Sequence, residues 1–232
     1  MRFDLTSLSS IAAFTTSMVS LGTLWQVRKQ RWIANQPDTF IKNKESTIKI
    51  GKKNLVDDHI ELIDLMKFNH DMHLDLFNIG LGPAKDILVE WNFDKSFLKK
   101  MQQMDKPNIF MLEMVNDSKD LAFGCCDRLI HLVDDLNSQI AFILPYKSSE
   151  EATKLKLPKS FITICTMYFT LLPLIHAQGR REHKERPYIN LKLTYKDIYN
   201  KTYLRKYRIT YQETNYFEHP SEMEGSFEVI KV

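Results

Sequence analysis

Residues with types and spacing suited to chemistry are few in this chain, and they are scattered. His70, Asp71 and His73 put three metal-ligand types within four positions, a donor set that suits zinc or copper. In an extended chain successive side chains alternate, so His70 and His73 would face opposite sides and share an ion only where a turn bends them together. They are kept as candidate ligands, and no metal or cofactor is assigned. Asp134 and Asp135 follow His131, but adjacent aspartates usually mark a solvated turn rather than an acid and base pair. There is no G-x-S-x-G elbow, no G-x-x-x-x-G-K-S/T loop and no H-E-x-x-H pair. No catalytic residue is nominated, and an enzyme whose site is assembled from distant residues stays open as an alternative.

Charge offers one further candidate. Residues 176–186 read H-A-Q-G-R-R-E-H-K-E-R, and Arg180, Arg181, Lys184 and Arg186 could contact an anionic lipid head or a nucleic acid. Glu182 and Glu185 partly neutralise them, which also fits a solvated loop. The chain as a whole carries a net charge of only +3, so nucleic acid is disfavoured as a partner. Cys125, Cys126 and Cys165 are odd in number and two are adjacent. That pattern builds no disulfide framework and suits buried thiols in a reducing compartment.

The elements that must position these groups start with a possible anchor. Residues 5–27 contain no charged side chain, and as a helix they would reach roughly 34 Å, enough for a hydrocarbon core of about 30 Å. Ten hydroxyl or amide residues dilute the apolar ones, though hydroxyls can bond back to carbonyls of their own helix. Trp25 and Trp32 with Arg28, Lys29 and Arg31 mark a membrane border, and the basic cluster assigns the C-terminal side to the cytoplasm. A signal peptide would carry its basic cluster before the apolar run, not after it. An amphipathic helix lying in the interface is the competing reading. Ser9, Ala13 and Ser17, at four-residue spacing, would let two such helices approach closely and self-associate.

Beyond Pro37 the signals are mostly those of strands. An apolar content of 44% with 26% charged residues over 232 residues is that of a folded domain with a real core, not of a disordered chain. Strand signals fall at 59–68, 72–79, 86–93, 109–115, 139–144, 188–195, 203–212 and 226–232, and several of these alternate with period two. Residues 188–212 read as a hairpin across a polar turn. Residues 94–105 read as a short helix with Asp94 as its N-cap. The apolar run 160–175 is read as a buried strand, with a core helix as the alternative, since periodicity cannot separate the two.

Residues 74–84, L-D-L-F-N-I-G-L-G-P-A, are the most distinctive stretch, with Asn78, Gly80, Gly82 and Pro83 forming a structural turn. With the Y-K-D-I turn at 195–198, it resembles a pattern in uncharacterised bacterial membrane-anchored β-sandwich proteins. The resemblance implies a fold and no activity. The expectation is thus a mainly β protein, an immunoglobulin-like or related sandwich with one short helix behind a single-pass transmembrane helix. Its divisions are a membrane anchor (1–32), a juxtamembrane connector (33–47) and the sandwich (48–232). The functional expectation is a cytoplasmic interaction module whose partners are the bilayer and an unidentified protein. A membrane-tethered sensor of a small ligand or nucleic acid is a further alternative.

Overall fold

The computed structural model describes residues 5–49, 72–104, 110–115, 120–125, 128–132, 136–147, 151–177, 186–215 and 222–232. The mainly β expectation holds, and one sheet curls into a half-barrel. The largest sheet has six antiparallel strands in the order β2 (Lys44–Lys49), β12 (Glu222–Lys231), β11 (Thr202–Asn215), β10 (Tyr188–Lys196), β4 (Ala84–Phe93) and β8 (Asn137–Ile143). Alternation is the reason. Ile189, Leu191, Leu193 and Tyr195 of β10 are buried, and Leu191 stands opposite Trp91 on one side and Tyr207 on the other. A fully buried side chain of this size contributes roughly 1.5–3 kcal/mol. The expected hairpin is β10 with β11, in continuous register from Tyr188↔Thr210 to Lys196↔Thr202.

A second sheet joins β1 (Thr39–Lys42), β3 (His73–Asn78) and β9 (Thr153–Lys156), with β3 in the centre. A third is the meander of β5 (Phe110–Val115), β6 (Asp120–Cys125) and β7 (Arg128–Leu132). The expected connector is shorter than 33–47: residues 39–42 and 44–47 already belong to β1 and β2. The strand expected at 59–68 lies outside the described residues.

Among the described residues three helices accompany the sheets: α1 (Leu5–Ala34), α2 (Lys95–Met104) and α3 (Lys159–Ala177). α2 is the short helix read from the sequence. The Asp94 carboxylate accepts from Ser96 N at 2.8 Å, and Phe97, Leu98 and Met101 are buried beneath it.

α3 corrects the strand reading of 160–175. Pro158 O accepts the first helical bonds, from Phe161 N and Ile162 N, a role proline fills without needing its missing N–H. The hydroxyls of Thr163, Thr166 and Thr170 donate to the carbonyls of Lys159, Ile162 and Thr166. The β-branched residues that suggested a strand therefore carry no unpaired hydroxyl into the core. Every side chain from Ser160 to Leu172 is buried, which explains why no amphipathic period was visible. Phe161 meets Phe227, Phe169 meets Tyr211 and Tyr168 meets Phe97. At β11 and β12, then, the sheet packs on a helix, where the expected sandwich would pack sheet on sheet.

Candidate functional site

The G-x-G turn between β3 and β4 holds the base of α1. α1 ends where Asn35 turns back on it, its backbone N and its Nδ2 both donating to Arg31 O, at 3.1 and 2.7 Å. Residues 35–38 then pass over the turn. A Cβ on Gly82 would stand 1.8 Å from Asn35 O, and one on Gly80 would stand 2.3 Å from Gln36 O. Neither glycine has a left-handed backbone. Close approach of the passing chain, not an unusual turn angle, is what requires glycine here.

Asn78 clamps the same crossing from below. Fully buried, it accepts at Oδ1 from Asp38 N (3.1 Å) and Gly80 N (3.2 Å). Its Nδ2 donates to Gly82 O (2.7 Å) and Ile143 O (3.2 Å). One amide thus satisfies four backbone groups from three segments, as many partners as its donors and acceptors allow. Ile79 N adds a bond to Asp38 O at 2.7 Å.

The β10–β11 turn closes the other flank. Asp197 is buried and accepts from Tyr199 N (2.8 Å), Lys201 N (2.9 Å) and Tyr203 OH (3.0 Å), while Asn200 takes the left-handed position at φ 63 that asparagine tolerates. Burial, reinforced by the Asp197 carboxylate, pushes the Tyr203 phenol up to about 12. Lys201 Nζ sits 3.8 Å from the centre of the Trp32 ring, a cation–π contact on the last turn of α1. Arg205 pairs with Asp38 at 3.1 Å, and Tyr207 OH donates to Thr39 O at 2.6 Å. Tyr195 stacks on Tyr203 at 5.6 Å; its buried hydroxyl has no hydrogen-bond partner among the described residues.

Beyond this junction α1 is exposed among the described residues. Its described side chains from Ala12 to Arg31 are all exposed, Phe14, Met18, Val19, Leu21, Leu24 and Trp25 between 56 and 68%. Thr15 and Thr16 donate to Ala12 O, Ser20 to Thr16 O and Thr23 to Val19 O. Among the described residues no helix is long and apolar enough to cross a membrane, so the transmembrane expectation finds no support in the apolarity of α1. Trp25, Arg28, Lys29 and Arg31 line its exposed C-terminal turns, and Trp32 is half-buried under Lys201.

The remaining candidates are not brought together among the described residues. His70 and Asp71 lie outside the described residues; His73 is half-buried on β3, opposite Lys156. No group of three or more His, Cys, Asp or Glu is placed to hold a metal among the described residues. Arg180, Arg181 and Lys184 also lie outside them, as do Cys126, Asp134 and Asp135. Arg186 is engaged by Glu213 at 2.9 Å, which leaves less of it for an anion. Cys165 is a fully buried thiol in α3, and burial pushes its ionisation well above the ordinary range, which makes it inert. A shallow polar groove lined by Glu90, Asn92, Asn190, Lys192 and Lys206 has its carboxylate paired with Lys192 at 2.6 Å.

The junction itself was only half visible in the sequence. Asn78, Gly80, Gly82 and Pro83 stood out as a turn, but nothing in their spacing pointed to residues 35–38, some forty positions away. The chain matches no family model, no curated protein and no solved structure.

Proposed function

We propose that this chain is an interaction module attached to a membrane through α1, with the β domain on the cytoplasmic side. The observation that carries the reading is the exposure of Phe14, Met18, Val19, Leu21, Leu24 and Trp25 on α1. Large apolar side chains left in water in such number are a mark of an interaction surface. The back-bonded hydroxyls lessen the polarity that this helix would bring into lipid. Arg28, Lys29 and Arg31 next to Trp25 and Trp32 favour the headgroup layer at its C-terminal end, and the same basic cluster assigns the cytoplasmic side. Crossing the bilayer is the stronger form of the proposal, with residues 5–27 as the span.

For the module itself, β8 supports the interaction reading. Among the described residues it is the last strand of the six-stranded sheet, with Phe142 on it and Leu144 just after it exposed. An open edge of this kind accepts an added strand.

The test is fractionation of cells expressing the full chain and a chain lacking residues 1–34. The full chain is expected in the membrane pellet after a high-salt wash, and the shortened chain in the supernatant. Recovery of the full chain in the supernatant would overturn the proposal. Labelling of a C-terminal cysteine tag only after permeabilisation is the outcome expected for the cytoplasmic side.

A further inference from the structure

We infer that the two turns flanking the base of α1, residues 79–83 and 197–201, form a collar that rests on an anionic lipid surface, Leu81 and Tyr199 entering the headgroup layer. The inference deepens the attachment reading and rests on it.

Position comes first. The 79–83 turn lies against residues 35–38, where the chain leaves α1, and the 197–201 turn reaches Trp32 through Lys201. Both turns therefore meet whatever surface α1 enters. Their tips are unusually apolar for exposed turns, with Leu81 at 74%, Ile79 at 56%, Tyr199 at 55% and Ile198 at 44% exposure. Exposed turns ordinarily carry polar residues. Among the described residues these four stay exposed, although they stand beside a junction held by paired polar groups such as Asn78 and Asp197.

Charge points to lipid over a protein partner. Arg28 and Arg31 project from the last turns of α1 and make no ion pair among the described residues. Lys29 and Lys201 lie over tryptophan rings, at 5.2 and 3.8 Å. The acidic groups nearby are already engaged: Asp38 by Arg205, Asp86 by Lys196, and Asp197 inside its own turn. What remains outward is positive charge and tryptophan beside apolar tips, the mixture that suits the boundary between headgroups and acyl chains.

The experiment uses the full chain with phosphatidylcholine vesicles, with and without phosphatidylserine. An environment-sensitive dye is placed at Leu81→Cys and, as control, at Thr214→Cys, near the end of β11 remote from the 197–201 turn; the parent chain, reacted in parallel, supplies the background from its own cysteines. The dye at 81 is expected to shift to the blue and to be quenched by brominated lipid, more so with phosphatidylserine, while the dye at 214 stays in water. The double variant Leu81→Asp, Tyr199→Asp is expected to lower binding to phosphatidylserine vesicles several-fold. If the chain floats with vesicles but the dye at 81 reports water, as at 214, the collar is overturned and attachment by α1 stands. If the chain does not float with either vesicle, both fall.

Discussion

Asn78 is the residue on which the junction depends most directly. Its amide bonds to Asp38 N, Gly80 N, Gly82 O and Ile143 O, and alanine would leave all four without it, two of the bonds buried and two half-buried. The expected loss for Asn78→Ala is about 2–4 kcal/mol, from roughly 1 kcal/mol for each bond, read from the urea midpoint at unchanged slope. A loss below about 0.5 kcal/mol, the range of an ordinary surface change, would show that water or a backbone shift replaces the amide. Asp94 offers a test in pH. Tyr188 OH, then Ser96, hold its carboxyl down at about 2 against an ordinary 3.8. A depressed carboxyl contributes stability that is full above its unfolded value and is lost as pH falls through its folded value. Asp94 should therefore stabilise fully above about pH 4 and cease to do so near pH 2. Because the group is half-buried at the surface, screening reduces this to about 1 kcal/mol or less. Asp94→Asn should flatten the acid limb of the stability curve between those values, and an unchanged limb would remove the assignment.

At the scale of elements, α3 shows where periodicity fails. A period reports the contrast between a wet face and a dry one, and a helix buried on all sides has no contrast to report. Thr163, Thr166 and Thr170 misled in the same direction, since their β-branching favours strands while their hydroxyls are absorbed by the helix itself. The strands β3, β4, β10, β11 and β12 were legible because each keeps one face on the core. β1 and β9 were not, being four residues long with too few alternations to register, nor was β2, whose K-E-S-T-I-K sequence is polar but for Ile48. The packing of α3 supplies its own prediction. Phe161 is fully buried against Phe227, and Phe161→Ala should cost about 3–5 kcal/mol by leaving a cavity between helix and sheet. A loss under about 1 kcal/mol by denaturant unfolding would place α3 outside the cooperative core.

For the whole molecule the decisive feature is how α1 is joined to the β domain. Residues 35–38 are held by Gly80, Gly82, Asn78, Arg205 and the Trp32–Lys201 contact, so the helix is expected to project at a set angle and not to swing on a linker. Spin labels at Phe14 and Thr214 should give a narrow distance distribution. Gly82→Ala, whose methyl would overlap Asn35 O, should broaden it and cost about 1–3 kcal/mol. A parent distribution as broad as the variant's would mean a flexible tether.

The linear chain already determined the mainly β character, the β10–β11 hairpin and α2 with its Asp94 cap, because alternation and capping act between residues a few positions apart. It also showed an uncharged run before a basic border, although no helix among the described residues is long and apolar enough to cross a membrane. Only the tertiary structure decided that 160–175 is a helix, because complete burial erases the period. It alone revealed that the turn at Asn78, Gly80 and Gly82 is the seat of α1. The need for glycine there comes from a backbone some forty residues earlier in the chain, and no local pattern records a contact of that range.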